Sequence, residues 1–302
     1  MSKKNNFNII NIAVNVFKPK SPFVQDSMYN PYLGDMMAVD NYIKRIKNHT
    51  NYQKNDYNIC SIYLTHVEDG GINAYFRHNK EIIQQLIGAL SETETEATKY
   101  FVVFIHAHGY PNDPNNGFSI LVDGGENGKL EQKELFNWLA PLIKNGPTFL
   151  ILNSCFAAEE NEPNTKADRE ICTFENFDED ETFKEFYNEG YPENNFYFLG
   201  MSSALVQSNL FNDGTYGIKI LKGLFEMGLI TNLNDIIRIF KTLLDSLNAN
   251  SKFTMYHPFL RIYSKKADQT DLFKALQLES IKNFINQFQL FNKEDLKDLL
   301  NQ

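Results

Sequence analysis

Tyr100-Phe101-Val102-Val103-Phe104-Ile105-His106-Ala107-His108-Gly109 and Thr148-Phe149-Leu150-Ile151-Leu152-Asn153-Ser154-Cys155 are two apolar runs that each stop at a reactive side chain. Both are short, rich in β-branched and aromatic residues, and apolar on both faces. That is the pattern of a strand covered by helices on either side. In open α/β sheets, binding groups collect outside the carboxyl ends of the strands. A thiol and an imidazole delivered to one such edge make a nucleophile–base pair, here 47 positions apart in the chain. The two runs predict a parallel sheet with cysteine-hydrolase chemistry at its edge.

Reading outward, Phe7 to Phe17 forms a first strand. Its basic start raises a signal peptide, but Asn8, Asn11 and Asn15 interrupt the apolar run and no small-residue cleavage site follows. A loop continues through Pro31. A helix over Asp35 to Lys47 carries Met36, Val39, Ile43 and Ile46 at helical spacing. Tyr57 to Leu64 is a second strand, and Asn79 caps a helix bearing Ile82, Ile83, Leu86 and Leu90. Phe118 to Val122 reads as a short strand or hairpin arm, and Leu130 to Ile143 as a helix. Further on lie a strand at Phe196 to Ser203 and helices at Tyr216 to Met227 and Leu233 to Leu247. A last strand runs from Met255 to Tyr263, where Pro258 suggests an edge. The tail from Asp271 to Leu300 is helical. This alternation predicts an α/β fold, a mostly parallel central sheet with helices on both faces.

The chain has 302 residues, 42% hydrophobic and 22% charged, enough for one large domain with a substantial core. Its net charge of −9 is concentrated. Glu159 to Glu185 holds eleven acids against three bases, a local charge of −8. This argues against nucleic-acid or anionic-membrane partners. No stretch approaches the ~18 apolar residues of a membrane span. Cys60, Cys155 and Cys172 are too few and too scattered for a disulfide framework. A reducing compartment is therefore expected, with a cytoplasmic location or export without a classical signal peptide. Cys60, mid-strand among apolar residues, reads as core, and Cys172 as an incidental thiol.

In order, these motifs resemble the caspase/metacaspase superfamily of cysteine peptidases. The matching residues are the apolar strand ending His108-Gly109, the strand ending Asn153-Ser154-Cys155, and between them GFSILVDGGENGKLEQKELFNWLA. Downstream, FLGMSSALVQSNLFNDGTYGIKILKGL and MYHPFLRIY are similar to the family's later strand, substrate loop and closing strand. The resemblance implies a caspase-like three-layer sandwich over 1–264, with 159–185 as a linker between two halves and 265–302 as a helical extension. It implies Cys155 as nucleophile, His108 as general base and acid, and the amides of Gly109 and Cys155 as the oxyanion hole. Strand geometry alone places His106 and His108 on one face and leaves both open as the base; the glycine that follows the family's histidine selects His108. Substrate contacts are implied at Asn153, Met201, Ser202, Ser203 and Ser208, with Asp35 available for an acidic pocket. This chain departs from the metacaspase pattern by carrying Asn153 two residues before the cysteine, and from the caspase pattern by Phe156-Ala157-Ala158 after it.

The expected activity is endopeptidase cleavage of protein or peptide substrates through a thioester, with no cofactor. The C-terminal helices are also available to an activating protein partner. A ligase or amidase using the same dyad, or a catalytically idle module recruiting a partner through its helical tail and acidic loop, are the alternatives. Asp123 to Glu134 nearly fits a calcium loop, but Gly125 stands at the third ligand position and a strand precedes it, so a turn and helix start is the preferred reading. The acidic segment could instead hold calcium or be cut near Lys166, Asp168 or Arg169.

Overall fold

The computed structural model describes residues 5–17, 31–47, 55–67, 78–92, 98–113, 117–123, 128–154, 172–178, 180–187, 190, 192–200 and 259–265. Strand β1 (Asn5–Phe17), helix α1 (Pro31–Lys47), strand β2 (Asn55–Val67), helix α2 (Asn79–Ser91) and strand β3 (Thr98–His106) come first. A meander of β4 (His108–Asp113), β5 (Gly117–Leu121) and β6 (Lys129–Glu131) follows, then helix α3 (Gln132–Asn145) and strand β7 (Thr148–Asn153). The remaining described elements are β8 (Cys172–Asn176), α4 (Glu181–Phe186), β9 (Phe196–Gly200) and β10 (Phe259–Ser264).

The main sheet has the order β2-β1-β3-β7-β9-β10-β8. Strands β2, β1, β3, β7 and β9 are mutually parallel; β10 pairs antiparallel with β9, and β8 runs parallel to β10. The α/β class with a mostly parallel sheet, expected from strand–helix alternation, is the class observed. From β1 the chain goes to β2 on one side and then crosses to β3 on the other. This makes the β1/β3 boundary a topological switch point, where open sheets of this kind leave a crevice at the strand carboxyl ends.

The two faces of this sheet are built differently. Ile10, Ile12 and Val14 of β1, Phe101, Val103 and Ile105 of β3, and Leu150 and Leu152 of β7 lie on one face. They join Ile83 and Ile87 of α2 and Leu135, Phe136 and Leu139 of α3 in one apolar core. Phe136 is its aromatic centre, with ring centroids 5.1–6.1 Å from Phe118, Phe183, Phe196, Phe198 and Tyr263. The opposite face is covered near β1 by α1, whose Tyr32, Asp35, Met36, Val39 and Ile43 form a buried stripe at helical spacing.

Several boundaries differ from expectation. Helix α1 starts at Pro31, a turn earlier than the apolar spacing suggests, because proline in the first turn lacks only an N–H that no helical carbonyl would accept. The helix expected from Leu130 gives up its first residues to β6, whose Glu131 pairs with Ser119. Gly117 turns β4 into β5 with φ +67°, and a Cβ there would lie 2.5 Å from Gln132 Oε1. Strand β10 is not an edge strand: it lies between β9 and β8, and Pro258 precedes its first residue, so no ladder N–H is lost.

The edge is instead β8, from the second half of the acidic segment expected to be a linker. There the apolar residues Phe177 and Phe183 are buried in the core, while Asp178, Glu181 and Glu185 stay at the surface. Cys60 is exposed rather than core, because β2 is the outer strand with only β1 beside it. The expected helices at 216–227 and 233–247, the first half of the linker and the C-terminal helical extension lie outside the described residues.

Candidate active site

Alternation along the strands puts Asn11 of β1, His106 of β3 and Asn153 of β7 on the α1 face, at the level where α1 begins. His106 and Asn153 are partners in the parallel register. All three are buried, at 0%, 1% and 2% exposure, so each polar atom needs a protein partner. Asn11 Nδ2 donates to the Met36 carbonyl at 2.8 Å, which leaves Asn11 Oδ1 to accept from His106 Nε2–H at 3.1 Å. His106 Nδ1 then carries the lone pair and accepts from Asn153 Nδ2 at 3.2 Å. The same Asn153 nitrogen donates its other hydrogen to Asp35 Oδ2 at 2.9 Å. The network fits only one neutral tautomer of His106.

The electrostatics agree. Burial pushes the His106 imidazole down to about 3, so the ring is uncharged at neutral pH. Burial also raises the Asp35 carboxyl to about 7, outweighing the Asn153 hydrogen bond, which favours the carboxylate. His106 stacks along its own strand on Phe104, with ring centroids 6.2 Å apart. Both nitrogens of this ring are committed within the interior. The His106 ring therefore presents no free nitrogen to the strand edge.

His108 lies two residues beyond, where the chain leaves β3 for β4, and its ring is exposed. Ala107 N–H still donates to the Asn153 carbonyl at 3.2 Å, so the β3–β7 ladder persists to the last residue before His108. One ring edge rests against α1: Tyr32 Oη and His108 Nδ1 are 3.2 Å apart, and the two rings meet edge to face with centroids 4.9 Å apart. Partial burial on this side lowers the imidazole below its ordinary value, which favours the neutral, proton-accepting form. Gly109 follows as the second residue of β4, partly buried and paired with Ile120.

Of the residues expected at the site, the structure thus brings His108 and Gly109 to the carboxyl end of β3. Asn153 and Asp35 are hydrogen-bonded to each other beneath it. Both were expected to touch substrate, but they are buried at 2% and 4% exposure, with their polar groups turned inward. Cys155, Met201, Ser202, Ser203 and Ser208 lie outside the described residues. Ser154, immediately before Cys155, is fully buried at the end of β7.

Tyr32 and Asn11 are the participants that sequence reasoning missed. Their signals were present: Pro31 as a helix start places Tyr32 in the first turn, and asparagine in a strand apolar on both faces demands buried partners. At the proposed calcium loop, the Asp123 carboxylate accepts the Asn79 and Lys80 amides at 3.2 and 3.1 Å, at the start of α2. Among the described residues, no group of three or more histidine, cysteine or acidic side chains could hold a metal ion, and no helix is long and apolar enough to cross a membrane.

No protein-family model matches the chain, and no curated protein matches it. Solved structures do. Caspase-1 from Spodoptera frugiperda is similar with a TM-score of 0.43 and 11% identity, covering 89% of this chain and 92% of that one. A protein from Geobacter sulfurreducens gives 0.47 and 10%, covering 89% and 97%. The structure of pro-sf-caspase-1 gives 0.43 and 12%, covering 88% and 92%.

Proposed function

We propose that this chain is a cysteine endopeptidase of the caspase/metacaspase type, with Cys155 as nucleophile and His108 as general base and acid. One observation carries the reading. The parallel ladder sets His106 opposite Asn153, and two residues further along each chain stand His108 and Cys155. On this reading the imidazole and the thiol share the crevice outside the carboxyl ends of β3 and β7, where open α/β sheets hold their sites.

In this reading the Cys155 sulfur attacks the scissile carbonyl while its proton passes to His108. The Gly109 and Cys155 amides donate to the oxyanion, and each such donor in an acyl-transfer site is worth roughly 2.7–4 kcal/mol. Collapse of the tetrahedral intermediate breaks the C–N bond, and His108 returns the proton to the departing amine. Water, deprotonated by His108, then cleaves the thioester and regenerates the thiol. The lowered imidazole value suits the first step, because the ring is unprotonated when the thiol arrives. Protein or peptide substrates follow from the chemistry.

The test is covalent labelling with a peptidyl epoxide probe, followed by mapping of the modified residue. Labelling of Cys155 in native protein that disappears in His108→Ala supports the dyad. Labelling that requires denaturation, or that falls equally on the exposed Cys60, overturns it.

A further inference from the structure

We propose that Tyr32 is the positioning residue for His108, and that it assigns the reacting nitrogen: Nδ1–H is held by the Tyr32 hydroxyl oxygen, so that Nε2 is the atom that exchanges the proton with the nucleophile. The inference rests on the dyad reading above for its consequence, but not for its geometry. Tyr32 is 4% exposed in the first turn of α1, and its ring packs edge-on against the His108 ring at 4.9 Å. An imidazole rotates about two side-chain bonds. A buried aromatic wall on one side and a hydroxyl 3.2 Å from one nitrogen leave it a single useful orientation. A neutral imidazole has one donor and one acceptor nitrogen, and the hydrogen bond made by one sets the role of the other.

The helix that carries Tyr32 is itself anchored. One turn on, Asp35 holds Asn153, and the Met36 carbonyl holds Asn11. Thus the first turns of α1 grip the middle of β1 and the carboxyl end of β7, and through Asn11 and Asn153 they hold His106 at the end of β3. Tyr32 is placed by the same buried network that uses up His106. An orienting group needs this rigidity, because a hydroxyl on a loose loop would follow the imidazole instead of fixing it.

The catalytic consequence follows from proton traffic. With Nδ1–H donated to the phenolic oxygen, Nε2 presents its lone pair outward and takes the thiol proton. The imidazolium so formed keeps its Nδ1–H hydrogen bond, so no rotation is needed before Nε2 returns the proton to the leaving amine. Were the ring to carry its hydrogen on Nε2 instead, the hydroxyl would donate to Nδ1 and the outward nitrogen would have no lone pair. The hydroxyl can serve either tautomer, and the proposal takes the first because only that one leaves a proton acceptor on the outward nitrogen.

Two measurements on the full chain test this. Long-range proton–nitrogen NMR of histidine-labelled protein, with His108 assigned by its loss in His108→Ala, reports which ring nitrogen carries the hydrogen. The expected wild-type result is a protonated Nδ1 and an unprotonated Nε2; the opposite assignment overturns the proposal whatever the activity. Tyr32→Phe keeps the ring and removes only the hydroxyl. It is expected to shift the His108 signals toward a tautomer mixture and to lower kcat about tenfold with KM unchanged, the effect of losing one orienting hydrogen bond. A His108 signature unchanged in Tyr32→Phe also overturns it. The underlying dyad fails separately: wild-type protein with the expected tautomer, but no Cys155-dependent peptidase activity, would leave Tyr32 as the orienting group of a histidine with another use.

Discussion

The two faces of the central sheet at the end of β3 share one backbone and opposite chemistry. Toward α2 and α3, Ile105 and Ala107 enter a continuous apolar core. Toward α1, His106 enters a hydrogen-bonded chain through Asn11, Asn153 and Asp35. The first face derives its stability from area removed from water and from close packing, and it tolerates no polar atom without a partner. The second gives up apolar burial for directional contacts that fix where three strands lie relative to a helix. The difference teaches that one face holds the sheet together and the other aims it. His108, two positions beyond His106, is a residue of this edge proposed to do chemistry.

The largest effect should come from the aimed group itself. His108→Ala is expected to lower kcat/KM by at least about 10³-fold while the thermal midpoint stays within a few degrees, because the residue is exposed and its ring meets the fold through Tyr32 on one edge. Steady-state peptidase assays beside a melting curve would show the split; a comparable loss in stability would mean that this ring belongs to the fold.

Truncation on the apolar face should do the reverse. Phe136→Ala removes the ring at the centre of the aromatic cluster and is expected to cost about 3–5 kcal/mol. Urea unfolding would register this as a lower midpoint at unchanged slope. In the fraction that stays folded, kcat should persist. Were kcat to fall in that fraction too, the division of labour between the faces would be wrong.

His106→Ala separates the histidines most sharply. It leaves Asn11 Oδ1 and one Asn153 N–H buried without partners, and such orphans cost ~1–3 kcal/mol each, so a loss of about 2–6 kcal/mol is expected. Unlike His108→Ala, the folded protein should still be labelled at Cys155 by an epoxide probe. A stable, unlabelled variant would reassign the base to His106.

The α/β class was legible because both decisive runs are apolar on both faces and end in polar residues, a period-free signal specific to covered parallel strands. His108 and Gly109 were legible as a strand terminus, which the structure places at the carboxyl edge. His106 was ambiguous because a strand shows which residues share a face but not which are buried, and burial is what separates positions 106 and 108. Tyr32 was missed because the first turn of α1 has no apolar period ahead of Asp35; Pro31 alone marked it. The acidic segment misled in the other direction. Its charge count hid Phe177 and Phe183, two aromatic residues sufficient to anchor β8 and α4 against the core.

The aiming face carries a last test, in its protons. Asp35 has a folded value of about 7 against an ordinary 3.8, so between those limits the native state holds a proton that the unfolded chain has lost. Stability from this group is full below about pH 4, falls as pH rises, and levels off above about 7. His106 runs oppositely: its folded value of about 3 lies below the ordinary 6.5, so its contribution rises with pH across that window. Each slope is close to one proton, and from pH 5 to pH 6 the two oppose each other, each moving stability by about 1 kcal/mol. Asp35→Asn keeps an oxygen to accept from Asn153 but cannot ionise, so the opposition is lost. Its stability relative to wild type should rise by about 1 kcal/mol between pH 5 and pH 6 and continue upward to pH 7, read from paired urea titrations in which all other titrating groups subtract out. A difference flat in pH would show that Asp35 ionises as an ordinary surface acid, and that the face toward α1 is wetter than its hydrogen bonds imply.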